Sequence, residues 1–156
     1  MSKIFGGLIV ALGLLLAPAT AGAGEYDIWF RLQPPANARA DLRGYWLDHN
    51  SQYLFPPDQG FARPARAVTL RPGMHIDRYG APTGRYLAPA GTSFEARAVP
   101  YDKAKMDYHR YRVMKPLPVH TGPIAPWFDQ RGGGVQYMTA RPVGELIAEG
   151  YLRKVR

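Results

Sequence analysis

Ala67-Val-Thr-Leu-Arg-Pro-Gly-Met-His-Ile-Asp-Arg-Tyr79 reads as strand, turn and strand, and this reading sets the class of the fold. Pro72-Gly73 separates two short runs. In the second, Met74 and Ile76 point one way while His75, Asp77 and Tyr79 point the other, the period of a half-buried strand. The same texture continues downstream. Gly80–Gly84 is a loop containing Pro82, followed by Arg85-Tyr86-Leu87 and the break Ala88-Pro89-Ala90-Gly91. Phe94–Val99 and Tyr108–Met114 are two more expected strands, with the polar, charged segment Tyr101–Asp107 between them as a loop.

Upstream, Tyr26, Ile28, Phe30 and Leu32 alternate with Asp27, Trp29 and Arg31 as a strand would, and Pro34-Pro35 ends that strand. Asn37–Tyr45 suits a short helix, Tyr45-Trp46-Leu47 suits a core anchor, and Pro56-Pro57-Asp58-Gln59-Gly60 is a turn cluster between Phe55 and Phe61. A helix lies near the C-terminus. Pro142 fits its first position, Val143, Leu146 and Ile147 form an i, i+3, i+4 stripe, and Gly150 fits its stop. Tyr151–Val155 returns as a last strand. The expected class is α+β: a compact, β-rich single domain with short antiparallel strands and one or two short helices.

The first residues read as an address. Lys3 precedes the apolar or glycine run Ile4–Leu16, and Ala17-Pro18-Ala19 and Ala21-Gly22-Ala23 offer small-residue cleavage sites. Residues 1–23 are therefore expected to be a signal peptide, making the protein secreted or periplasmic with no stable membrane anchor after cleavage. A retained anchor is the alternative, although the run is shorter than the roughly 20 residues a spanning helix needs. The chain carries 20 basic and 12 acidic residues, and Lys3 is the only charge in 1–23, so the excess stays with the domain. That balance favours an anionic partner: nucleic acid, phospholipid or a phosphate-bearing small molecule. The absence of cysteine removes thiolate nucleophiles and zinc–thiolate sites.

His49, His75, His109 and His120 lack metal-ligand spacing and no carboxylate cluster completes a site, so no metal is expected. Ser2, Ser51 and Ser93 lie in no Gly-x-Ser-x-Gly setting. The arginines carry more information. Arg78 ends a strand where a glycine-flanked loop begins, and Arg97 sits among Phe94, Ala96 and Val99. A guanidinium matches phosphate with a planar fork and stacks on aromatic faces; a surface salt bridge is the alternative. Tyr79 and Tyr86 flank the same loop and are placed to sandwich a flat heterocycle, or else to fill the core. The segment Ile124–Tyr137 joins Trp127-Phe128 to three consecutive glycines, each costly in backbone entropy. Close approach of backbone to a ligand would justify them, and so would a structural bulge.

Taken in order, these motifs resemble the tuberculosis necrotizing toxin (TNT) family of NAD glycohydrolases. They are Tyr53-Leu-Phe-Pro-Pro-Asp-Gln-Gly-Phe61, Ile76-Asp-Arg-Tyr-Gly80 with Gly84-Arg-Tyr86, Phe94-Glu-Ala-Arg97 and Tyr108-His-Arg-Tyr-Arg-Val113. Ile124-Ala-Pro-Trp-Phe128, Gly132-Gly-Gly-Val-Gln-Tyr137 and Val143–Leu152 complete the set. The resemblance covers roughly residues 44–155. It implies a TNT-like domain over 44–156, with residues 24–43 as an N-terminal extension.

The resemblance further implies a secreted NAD(P) glycohydrolase that cleaves the nicotinamide–ribose bond and acts as a toxin by depleting NAD in a target cell. NAD or NADP is then substrate rather than cofactor, a neutralising immunity protein is a possible partner, and no nucleic acid is bound. The family's functional positions fall on Arg78, Tyr86 and Gln136 as catalytic residues and on Tyr79, Arg97 and His109 as substrate-binding ones. Arg78 and Arg97 would grip the diphosphate and Tyr79 and Tyr86 the nicotinamide end, while Gln136 orients amide or ribose hydroxyls. His109 would orient another residue or serve the fold. Because nicotinamide leaves NAD as a neutral molecule, such a site needs no general acid, unlike the carboxylate pair of ordinary glycosidases. The readings left open are a secreted basic ribonuclease and a non-catalytic envelope binding module.

Overall fold

The computed structural model describes residues 38–42 and 52–156. The expected signal peptide over 1–23, the strand at 26–32, the anchor Tyr45-Trp46-Leu47 and His49 lie outside the described residues. Of the helix expected over 37–45, residues 38–42 are described and are not helical, because Ala38 bridges to Tyr101 and the Leu42 N–H closes a turn on the Arg39 carbonyl. Among the described residues seven strands form one antiparallel sheet: β1 (Arg66–Leu70), β2 (His75–Tyr79), β3 (Tyr86–Pro89), β4 (Tyr108–Val113), β5 (Leu117–Pro123), β6 (Val135–Met138) and β7 (Leu152–Val155). Their spatial order is β1-β5-β6-β3-β2-β4-β7. β1 and β2, neighbours across Pro72-Gly73, are thus separated by three strands. The turn carries the chain from one half of the sheet to the other and closes no hairpin.

One face of the sheet builds the core. Ile76 pairs with Tyr111 across β2 and β4, and Val113 pairs with Leu152 across β4 and β7. These residues pack with Leu87 and with Val143 and Leu146 of the helix α1 (Val143–Ala148). Full burial of such a side chain contributes about 1.5–3 kcal/mol, and that packing, not propensity, holds a six-residue helix. The helix ends as its sequence demands. Gly150 adopts φ 74°, its N–H bonds to the Ile147 carbonyl, and the Tyr151 N–H bonds to the Leu146 carbonyl. This is the paired closure that a glycine just past a helix permits.

The sequence is misleading in two places. Phe94–Val99 is not a strand but a 3₁₀ turn (Glu95–Arg97) followed by Ala98 in a left-handed conformation, φ 46°. Phe94, Ala96 and Ala98 are all buried, so alternate burial imitates the period of a strand without its backbone. The opposite happens in β5, Leu-Pro-Val-His-Thr-Gly-Pro, where two prolines and a glycine disguise a strand. There Leu117, Val119 and Thr121 face inward. Otherwise the expected class holds: the regular structure of the described residues is mostly antiparallel sheet, with α1 as their α-helix.

The second face positions the site. The β2–β3 and β5–β6 pairs join Asp77 to Ala88 and Gln136 to Gly122. Continuing the β3–β6 register by one residue sets Ala88 opposite Gln136. Asp77, Ala88, Gln136 and Gly122 therefore form a row across four strands. The small neighbours of Gln136 leave room above it, and Phe61 fills the part over Gly122, where a Cβ would sit 2.9 Å from the Phe61 ring.

Candidate active site

A cleft of about 700 Å³ opens on this face, within the range of small-molecule sites. Arg78, Tyr79, Tyr86, Arg97 and Gln136 all line it, so five of the six residues singled out in the sequence meet at one place. His109 is not among its lining residues. It pairs with Arg78 across β2 and β4, and its buried Nδ1 has no hydrogen-bond partner among the described residues. It stands behind the wall, in the layer that carries Arg78.

Arg78 ends β2 and folds over the loop that follows. Its Nε donates to the Ala81 carbonyl and its Nη1 to the Tyr86 carbonyl, each at 2.8 Å. A Cβ at residue 84 would lie 1.9 Å from Nη2, so only glycine lets the guanidinium lie there. Among the described residues no carboxylate pairs with Arg78. Burial pushes its pKa down, and the nearby Tyr111 and Tyr101 phenols oppose that shift. A half-buried cation without an anionic partner is costly, and an anionic ligand removes the cost.

Arg97 is disposed differently. Its Nη2 meets Asp77 Oδ1 at 2.5 Å and also donates to the Thr92 carbonyl. The guanidinium carbon lies 5.1 Å from the centre of the Tyr79 ring, within cation–π range. Asp77 is fully buried, and its Oδ2 accepts from Tyr108 Oη at 2.7 Å and from the Gly91 N–H at 2.9 Å. Burial, then the Asp77 carboxylate, pushes the Tyr108 phenol up to about 12. Asp77 therefore neutralises Arg97 and leaves Arg78 as the uncompensated cation of the cleft. The spacing of residues gave no sign of this division.

Tyr79 packs edge-on against Phe94, with ring centres 5.0 Å apart, and leans on Tyr108. Continuing the β2–β3 register places Tyr86 across from it on the same face. Gln136 is 9% exposed, and its Nε2 donates to the Gln59 carbonyl at 2.9 Å. Since only the amide nitrogen can donate to a carbonyl, the amide orientation is fixed and Oε1 remains an acceptor. Tyr86 Oη donates to Gln59 Oε1 at 2.7 Å. Gln59, Asp77 and Tyr108 are neighbours of the candidate residues that the sequence did not single out. Only the alternation of Asp77 with Tyr79 in β2 hinted at one of them.

The glycine run has a different purpose from the expected ligand approach. None of Gly132, Gly133 and Gly134 lines the cleft. A Cβ on Gly132 would meet the Ala125 carbonyl oxygen at 2.6 Å, and one on Gly134 the Ala96 oxygen at 2.7 Å. The Gly133 N–H bonds to the Ile124 carbonyl and the Gly134 N–H to the Ala96 carbonyl. The run brings backbone against backbone, clamping the turn that carries Arg97 onto the start of β6, and Gln136 follows two residues later.

These features define a class: a small antiparallel β-domain with a cationic, aromatic-walled cleft built at the ends of its central strands. Within that class the chain belongs to the tuberculosis necrotizing toxin family, whose model matches residues 69–155. It is 39% identical over 119 residues to the conidial surface nicotinamide adenine dinucleotide glycohydrolase of Aspergillus fumigatus, an alignment covering 68% of this chain and 51% of that protein. The chain thus spans about half the length of that curated relative. Its fold is also similar to that of tuberculosis necrotizing toxin solved in complex with its immunity factor. The TM-score is 0.57 at 26% identity, over 69% of this chain and 65% of the other.

Proposed function

We propose that this chain is an NAD(P) glycohydrolase, exported by a signal peptide over 1–23, that depletes NAD in a target cell. The observation that carries the reading is the half-buried Arg78 guanidinium, unpaired with any described carboxylate, on a cleft wall shared with Tyr79, Tyr86 and Gln136. A dinucleotide supplies what that wall lacks: a diphosphate for the cation and flat rings for the tyrosines. The relative named as an NAD glycohydrolase supports the same substrate.

In the reaction water adds to the anomeric carbon of the nicotinamide riboside while the C–N bond breaks. The bonding pair moves to the pyridinium nitrogen, nicotinamide leaves neutral, and the proton of the attacking water passes to solvent. No acid is needed, which suits a cleft in which Asp58 is the one carboxylate among the described lining residues. Catalysis then consists of holding the dinucleotide and stabilising an oxocarbenium-like ribose. Arg78 binds the diphosphate through Nη2, and Arg97 assists through Nη1 while Nη2 stays on Asp77. Tyr79 and Tyr86 hold the nicotinamide end. Gln136 Oε1 accepts from a ribose hydroxyl and turns the negative end of its dipole toward the developing cation. His109 acts through Arg78, its partner across the two strands.

Domain limits follow the same reading: residues 24–43 extend a domain spanning 44–156. A toxin acting on NAD threatens the cell that makes it, so a neutralising immunity protein is the partner expected, as the related toxin has. The test is to incubate the purified mature protein with NAD, NADP or RNA and follow nicotinamide release and RNA integrity. Nicotinamide release with RNA intact supports the reading. RNA cleavage without nicotinamide release establishes the ribonuclease instead, and neither activity leaves a binding module.

A further inference from the structure

Gln59 lies in the Pro-Pro-Asp-Gln-Gly cluster that marks an ordinary surface turn, yet its geometry is not that of an ordinary turn. Asp58, Gln59 and Gly60 take three successive positive φ angles, 52°, 56° and 83°. Glycine or asparagine meets that demand at least cost, and glutamine does not. The segment is nevertheless fixed on both sides. The Gly60 N–H bonds to the Pro57 carbonyl, the Ala125 N–H to the Gly60 carbonyl, and the Ala62 N–H to the Pro123 carbonyl. Phe61, 6% exposed, plugs the space over Gly122. The turn is therefore a rigid strap across the cleft rim.

Both acceptors of Gln59 are engaged by cleft residues. Its carbonyl takes the Gln136 amide, and its side-chain Oε1 takes the Tyr86 hydroxyl. Arg78 in turn donates to the Tyr86 carbonyl. One continuous hydrogen-bond chain thus runs Arg78–Tyr86–Gln59–Gln136, joining β2, β3 and β6. Gln59 itself is exposed, and ordering a long, exposed side chain has an entropic cost that solubility alone does not require.

We propose that Gln59 is a positioning residue for NAD hydrolysis, acting through Tyr86 and Gln136 rather than on substrate; this rests on the function proposed above. The effect has a definite sign. With Nε2 held by the Gln59 carbonyl, Gln136 offers Oε1 to the cleft and favours positive charge on the ribose. A reversed amide would offer N–H donors and oppose that charge. The rigid strap presents the Gln59 carbonyl to Gln136, and the Gln59 side chain, by accepting from Tyr86 Oη, holds that ring in place on the cleft wall.

The test is steady-state NAD hydrolysis by the full mature chain, comparing wild type with Gln59→Met, Gln59→Glu, Tyr86→Phe and the Gln59→Met/Tyr86→Phe pair. Methionine keeps the length and removes the acceptor, whereas glutamate restores it. Gln59→Met is expected to lower kcat about tenfold with KM within about twofold, the mark of an interaction made in the transition state. Gln59→Glu recovers kcat to within about threefold, and the double variant is no slower than about the slower single variant, as residues acting in series require. An active wild type whose Gln59→Met variant retains kcat within about twofold overturns this inference alone, as do losses that simply multiply. Wild type that releases no nicotinamide overturns the parent reading and this inference with it. Unchanged far-ultraviolet dichroism in each variant establishes that a rate loss is not unfolding.

Discussion

Arg97 and Asp77 form an ion pair 2.5 Å long whose side chains are 8% and 0% exposed. Taking two charges out of water is costly, and the pair persists because its polar atoms are met elsewhere. Tyr108 and the Gly91 N–H complete Asp77, while the Thr92 carbonyl and the Tyr79 face receive Arg97. The pair ties the 3₁₀ turn Glu95–Arg97 to β2. Arg78, one residue beyond Asp77, has no such carboxylate partner among the described residues.

Breaking the pair from the acid side should therefore unfold more than it inactivates. Asp77→Asn leaves the Arg97 charge buried and uncompensated, a loss of about 3–5 kcal/mol in comparable cases. Urea denaturation of wild type and variant measures it. A loss below about 1 kcal/mol would mean that Arg97 swings to solvent and that the pair is not structural.

Arg78 and Gln136 should behave in the opposite way. Arg78→Ala and Gln136→Ala are each expected to lower nicotinamide release from NAD by about 100-fold or more, with stability changed by no more than about 1–2 kcal/mol. Gly84→Ala offers a check that leaves the arginine in place. Its Cβ would collide with Nη2, so the guanidinium has to leave its seat and activity has to fall. An active Gly84→Ala protein would show that the observed pose of Arg78 is not the working one.

How much of this was legible in the sequence depends on which interactions stay local. β2, β4, α1 and β7 were readable because their apolar period matches their backbone and because Pro142 and Gly150 bracket the helix. Arg78, Tyr79 and Tyr86 stood out by their chemistry, a guanidinium and two phenols around one glycine-flanked loop, whereas Gln136 came only from the resemblance to the toxin family. The Arg97–Asp77 pair was not legible, because it joins residues 20 apart through a turn whose burial imitates a strand. Gln59 was hidden for a related reason: its two bonds span 27 and 77 residues, and neither leaves a periodic trace.

Tyr108 gives the protein a pH dependence at the alkaline end. Its folded pKa is raised to about 12 from an ordinary 10, by burial first and the Asp77 carboxylate second. Its neutral form is thus favoured in the fold. The associated stability is complete below about pH 10 and is lost as pH rises toward 12. Tyr108 is 43% exposed, so solvent screening keeps the effect small. Urea midpoints from pH 9 to 11.5 are expected to decline more steeply in wild type than in Tyr108→Phe, and equal slopes would remove Tyr108 from the account.

The glycine run permits the most discriminating comparison, because its three members make different demands. Gly132 has φ 59° and faces the Ala125 carbonyl, and Gly134 faces the Ala96 carbonyl. Gly133 has φ 79° with nothing within 4 Å of where a Cβ would sit. Alanine at 132 has to push its backbone off Ile124-Ala125 and alanine at 134 has to push it off the Ala96 carbonyl beside Arg97, and in both cases the displaced run leads directly into Gln136. Both variants are expected to lose more than about 2 kcal/mol of stability and to lose activity with it. Alanine at 133 meets only the strain of a left-handed residue, about 1–2 kcal/mol, and is expected to retain most activity. If the glycines instead served a ligand approaching their backbone, the pattern would reverse: activity would fall at whichever glycine the ligand touches while the melting temperature stayed unchanged. Thermal melts and nicotinamide release measured on the same three variants separate a clamp between backbones from a surface for substrate.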